Sequence, residues 1–280
     1  MIFKNAMSFK AKIKQVAKDK GITTQQVQQN YLIEVFLSKL AKSDYKDNFI
    51  LKGGYLIGGI IGLDMRATMD LDTTIKGFEL TPERLAKIAQ DIVSIPTEES
   101  FALEFEDIEA IRKADDYPGY KLKFIAGFEK IHEPVTIDVT TGDVITPKEI
   151  DFNFRRMFSD ESIDLLSYPL ETILAEKLET ILSRGIATTR PRDFYDVYIL
   201  SKLKSDQIEL PTLKNALENT KAKRKSVFEF SEYSVILDEI QKSEFQRKLW
   251  TKYQKQYSYA SKTSFDVVIE SVKRLFSEFV

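Results

Sequence analysis

The sequence predicts an α/β protein of the α+β kind, bilobed, with a mixed-sheet domain and N-terminal helices over 1–155 and a mainly helical domain over 156–280. Three observations predict it. Apolar residues recur at helical spacing over 8–42, short strand-like runs broken by turn residues fill 101–140, and helical periodicity returns beyond Arg155.

In chain order, Val16, Val27, Leu32, Val35, Phe36 and Leu40 mark a helical segment with a break at Gly21-Ile22-Thr23-Thr24. Phe49-Ile50-Leu51-Lys52-Gly53-Gly54 is a short apolar run that ends in glycines and leads into a helix to about Gly62. After Arg66 comes a strand over Asp70 to Ile75. Thr81-Pro82-Glu83 starts a helix that runs to about Val93, with proline just inside its first turn. Phe101 to Arg112, Tyr120 to Glu129 and Pro134 to Thr140 read as strands, separated by Asp115-Asp116-Tyr117-Pro118-Gly119 and by a turn near His132. In the third, Val135, Ile137 and Val139 alternate with Thr136, Asp138 and Thr140, which puts Asp138 on the polar face of a half-buried strand. Beyond Arg155 the chain reads as mostly helical, at 169–184, 191–203, 211–219, 232–250 and 263–279.

Composition narrows the chemistry. A hydrophobic fraction of 43% beside 30% charged residues is that of an ordinary folded protein. The longest apolar run, Tyr55 to Leu63, is interrupted by Gly58, Gly59 and Gly62 and falls short of the roughly 20 residues of a membrane-spanning helix. Met1-Ile2-Phe3-Lys4 lacks a signal-peptide core, so a cytoplasmic location with no membrane role is expected. With no cysteine, and His132 the only histidine, disulfides, thiolate zinc sites, cysteine nucleophiles and histidine triads drop out. What remains is carboxylate, lysine, arginine and hydroxyl chemistry with hard ions, Mg²⁺ or Mn²⁺. The net charge of −2 divides into +4 over residues 202–280 and −6 over 1–201. That asymmetry suits a polyanion lying across both parts, or simply a solvated helical surface.

Three constellations could carry chemistry. Lys52-Gly53-Gly54 offers close backbone approach to a phosphate, and Asp70-Leu71-Asp72 puts two carboxylates on one side of a strand, where they can share a cation. With Asp138 from a later strand they make a three-acid set of the kind that two-metal phosphoryl chemistry requires. Acids on a wet strand face are the alternative, weakened because Asp is disfavoured in strand interiors. Lys177 lies near the middle of the apolar stripe Leu170, Ile173, Leu174 and Ile181, so an anion is expected to meet it, a nucleotide triphosphate or a structural partner such as Asp193 or Asp196, the alternative being a lysine that snorkels to solvent from the helix edge. In Arg190-Pro191-Arg192-Asp193-Phe194-Tyr195-Asp196, proline suits the first helical position and the two acids share a face. Pairing to Lys177 or Arg190 is one reading of them and helix capping another. The tail aromatics Trp250, Tyr253, Tyr257, Tyr259 and Phe265 read mainly as core.

The Gly-Gly, spacer, Asp-x-Asp order is similar to the first motif of polymerase-β-type nucleotidyltransferases. With Lys121 through Asp138-Val139-Thr140, Glu176-Lys177-Leu178 and the Arg190 to Asp196 segment, the chain resembles the AbiEii-type toxins of type IV toxin–antitoxin systems, which act in abortive infection of phage. It departs from the common form at Gly54, where many members have Ser, and in a long spacer before Asp70. The resemblance implies a nucleotidyltransferase-fold domain followed by a helical one, with NTP and metal bound between them. It implies transfer of nucleotides onto the 3′ acceptor end of tRNA, with GTP and CTP both open as donors. By position, Asp70 and Asp72 would bind metal and Asp138 would complete the site or act as base. Lys52, Gly53 and Gly54 would meet the nucleotide and Lys177 the triphosphate. Asp196, and less directly Asp193, would fix that lysine or line the nucleotide pocket. The basic C-terminal helices and the 221–225 cluster would contact RNA. A cognate AbiEi-type antitoxin encoded nearby, with no direct contact required, is the expected partner. The rival readings are an NTP- or RNA-binding module that acts by sequestration, a metal-dependent nuclease, and a pure interaction protein.

Overall fold

The computed structural model describes residues 2–111 and 119–278; the turn expected at 115–118 and the strand end at Arg112 lie outside them. The fold is α+β, with a seven-stranded mixed sheet and, among the described residues, ten α-helices. Two compact units divide the chain, one of residues 1–143 with 150–167, the other of 144–149 with 168–280.

In the first unit, α1 (Ala6–Lys20) and α2 (Thr24–Leu40) each start with a reciprocal capping box, Asn5 with Ser8 and Thr23 with Gln26. Gly21, left-handed at φ 64°, closes α1 and makes the break legible in the sequence. The strands are β1 (Phe49–Lys52), β2 (Leu71–Ile75), β3 (Ala102–Ile111), β4 (Gly119–Phe128), β5 (Ile131–Thr141), β6 (Ile150–Arg155) and β7 (Ser162–Ser167). Their order in the sheet is β3-β4-β5-β2-β1-β7-β6. Two helices complete the unit, α3 (Gly53–Ile61) directly after β1 and α4 (Pro82–Ser94), which Thr81 caps.

One sheet face is dry. Leu51, Leu71, Leu122, Phe124, Val135, Ile137 and Val139 form one buried core with Phe9 and Ile13 of α1, the inner residues of α2, and Leu85, Ile88 and Ile92 of α4. Because side chains alternate along a strand, Asp72 and Asp138 are left on the opposite face. A buried charge cluster pins this layer: Arg156 pairs with Glu34 of α2 at 3.2 Å and with Glu99, and the Met157 amide donates to Glu34 at 2.7 Å.

Beyond Arg155 the chain is mostly helical, as expected, with one strand that the reading did not include. Ser162–Ser167 is a strand, parallel to β1 through Ile50 and Leu166. Its signal is a short period-two run, Ile163 and Leu165 inward against Ser162 and Asp164 outward, which a helix-scale search passes over.

The second unit holds α5 (Leu170–Arg184), α6 (Pro191–Leu203), α7 (Leu210–Arg224), α8 (Tyr233–Lys242), α9 (Glu244–Gln256) and α10 (Phe265–Ser277). The single helix expected over 232–250 is two, because Ser243 leaves helical geometry and caps α9. The segment 144–149 is tied into this unit by Thr146, whose amide donates to the Thr172 hydroxyl at 2.9 Å and whose hydroxyl accepts from Asn219 at 3.0 Å.

Candidate active site

The register of four strands builds the candidate site in the sheet. Lys52 on β1 stands opposite Asp72 on β2, Asp72 beside Asp138 on β5, and Asp138 opposite Lys121 on β4. Directly paired residues share a face, so these four side chains form a single row, in the order +, −, −, +. The separation of Asp72 and Asp138 in sequence says nothing of this; the parallel β2–β5 pairing makes them neighbours.

Lys52 is not free to meet a nucleotide as the isolated motif suggests. It is buried, its ammonium donates to the Thr140 hydroxyl at 2.7 Å and it pairs with Asp143. Thr140, and Asp143, which sequence reasoning missed, fix the end of β1 from which α3 departs. Gly53 follows at φ 69°, and a Cβ there would lie 2.2 Å from Oδ2 of Asp72. The Asp72 carboxylate therefore rests in the space that only glycine leaves open. At Gly54 a Cβ would approach the Arg66 guanidinium to 2.9 Å and the Thr68 hydroxyl to 3.3 Å, so the space a serine would use is filled here. The Asn30 side-chain amide donates to the Thr68 carbonyl at 2.6 Å and holds the approach to Asp70 against α2. Asp70 is exposed and lies one residue before β2.

Lys121 reaches Oδ1 of Asp138 at 2.7 Å, with the two side chains 28% and 25% exposed. That oxygen is shielded from solvent. Burial opposes the Lys121 charge, but Asp138, with Asp70 and Asp72 behind it, more than compensates and holds the ammonium above the usual lysine range. All three predicted aspartates thus act on one cation. Among the described residues no three acidic or histidine side chains gather closely enough to enclose a metal ion. The donor chemistry still fits: Asp70 and Asp72 offer hard carboxylate oxygens with no ion-pair partner among the described residues, as Mg²⁺ or Mn²⁺ requires.

A second charged cluster lies in the helical unit. Lys177 of α5 pairs with Asp193 at 2.8 Å and Asp196 at 3.2 Å, both on α6, and Arg190 pairs with Asp193 at 2.6 Å. The Asp193 and Asp196 side chains are 1% and 0% exposed, and that of Lys177 is 11% exposed. Pro191 opens α6 and sets the three-residue spacing that turns both acids inward. Burial would raise the Asp193 carboxyl, but Lys177 and Arg190 outweigh it and hold it down at about 2. The structural partners expected for Lys177 are both present.

The basic cluster at 221–225 is the last turn and left-handed cap of α7. Arg224 is engaged by Glu179 and, at 3.2 Å, by Glu176, and Lys221 lies 3.3 Å from Glu229. Trp250, Tyr253 and Phe265 are buried, as core aromatics should be.

A family model described as "Nucleotidyl transferase AbiEii toxin, Type IV TA system" matches residues 35–271. No curated protein matches. Two solved structures share the fold, both from Helicobacter pylori. JHP933 is 14% identical, with a TM-score of 0.53 over 92% of this chain and 94% of its own. A protein described as a candidate nucleotidyltransferase is 13% identical, with a TM-score of 0.52 over 92% of this chain and 97% of its own.

Proposed function

The chain belongs to the AbiEii family of nucleotidyltransferase toxins of type IV toxin–antitoxin systems, and on that premise we propose that it transfers nucleotides from an NTP to the 3′ end of tRNA. The observation that carries this reading is the register row, which sets Asp72 beside Asp138 with Gly53 beneath the Asp72 carboxylate. Gly53 gives the Asp72 carboxylate its room at the start of α3.

Asp70 and Asp72 are the residues that would hold Mg²⁺ or Mn²⁺. Bound there, the ion would neutralise charge on the triphosphate and on departing pyrophosphate. Gly53 and Gly54 offer backbone at the start of α3, and Lys52, fixed by Thr140 and Asp143, holds the end of β1 behind them. The RNA 3′ hydroxyl attacks the α-phosphorus in line. Its oxygen forms the new P–O bond, its proton passes to Asp138, and the bond from the α-phosphorus to the bridging oxygen breaks to release pyrophosphate. Basic residues of the C-terminal helices meet the RNA backbone, so binding weakens with salt. An AbiEi-type antitoxin counters the toxin without needing to touch it, and abortive infection of phage is the setting. Among the described residues no helix is long and apolar enough to cross a membrane, and the cytoplasm, where tRNA is found, is the proposed location.

Expression in bacteria tests the reading. Wild-type chain should arrest growth and Asp70→Ala should not, at equal protein level; arrest by both would favour sequestration over catalysis.

A further inference from the structure

We propose that Lys121 is a built-in counter-cation that takes the place of a second metal ion, so that the acid row binds one divalent cation, at Asp70 and Asp72, and not two. The inference rests on the reading of those two residues as metal ligands.

The occupancy of the row is the first argument. Lys52 at one end pairs with Asp143, and Lys121 at the other end pairs with Asp138, so Asp138 already has its counter-cation.

Geometry is the second. Lys121 has two acids in register, Glu109 on β3 and Asp138 on β5. Lys123, two residues on, takes Glu109 at 3.0 Å and Asp107 at 3.5 Å, and Lys121 turns the other way, to Asp138 at 2.7 Å. Neighbouring strands lie about 4.8 Å apart, so a lysine on β4 reaches over β5 toward the acids of β2. The ammonium sits at Oδ1 of Asp138, an oxygen shielded from water. A second ion at Asp138 would have to displace it. Activation of the acceptor hydroxyl then falls to the Asp138 carboxylate.

Mn²⁺ binding to the full chain without nucleotide, followed by the electron paramagnetic resonance of the free ion, tests this. One Mn²⁺ per wild-type chain is expected, with none in Asp70→Asn, one in Lys121→Arg and two in Lys121→Met. Asp138→Asn, which keeps the shape of the row, should change the wild-type affinity less than threefold. Thermal melts with and without Mn²⁺ establish that each variant folds, and the ion should raise the Tm of Lys121→Met more than that of wild type. Two ions on the wild-type chain, one on folded Lys121→Met, or a tenfold loss of affinity in Asp138→Asn would overturn the inference while leaving the metal reading of Asp70 and Asp72 intact. No Mn²⁺ on the wild-type chain would remove both.

Discussion

The sheet row and the Lys177 cluster are built from the same two residue types and differ in what surrounds them. In the row, Asp70 is exposed, Asp72 and Asp138 are half-buried, and one lysine serves three acids. In the cluster two cations face two buried acids, and the charges cancel. Excess charge at a half-wet face is available to a ligand. Balanced charge in a dry interior is committed to the fold, and removing one member leaves another unpaired. Mutations in the two regions should therefore separate stability from chemistry.

The largest effect on stability is expected for Lys177→Met, which removes the ammonium that both Asp193 and Asp196 face. A loss of roughly 3–5 kcal/mol is expected in urea unfolding. Trp250, the only tryptophan and buried in the helical unit, reports the transition. A loss under about 1 kcal/mol would mean that the cluster is not structural. Gly53→Ala comes next, because it combines a positive φ with overlap onto the Asp72 carboxylate. Roughly 2–3 kcal/mol is expected, read by far-ultraviolet circular dichroism during denaturation.

Acid should act on the cluster by a smaller amount. Asp193 is held at about 2 in the folded chain, below the unfolded carboxylate value of roughly 3.9. Its contribution, about 2 kcal/mol, is therefore complete above pH ~4 and is lost as pH falls through about 2. Urea midpoints followed by Trp250 between pH 5 and 2 should fall accordingly in wild type and less in Asp193→Asn. Equal slopes would contradict the assignment. Asp70→Asn should change stability least, within about 0.5 kcal/mol, while abolishing transfer.

Much of this was legible in the sequence. Period-3.6 stripes, Gly21 and Pro82 gave the helices, and the alternation of Val135, Ile137 and Val139 put Asp138 on the polar face. Lys177 at the centre of an apolar stripe announced a buried partner, and Asp193 and Asp196 are that partner. What was not legible depends on pairing across long sequence distances. That Asp138 adjoins Asp72, that Lys52 is held by Asp143, and that Lys121 turns from Glu109 to Asp138 all follow from strand order and register. Local pattern carries no record of either. The β7 strand was lost for a related reason: six residues give too few periods to announce themselves, and its place is fixed by its pairing with β1.

Incubation of the purified chain with total tRNA, Mg²⁺ and each α-labelled NTP in turn, resolved on a denaturing gel, would decide whether the row performs transfer. Label should enter full-length tRNA from one NTP and be lost in Asp72→Asn of unchanged Tm. Failure of every NTP to label tRNA, equal labelling by the variant, or shortening of the RNA would contradict nucleotidyl transfer by this chain.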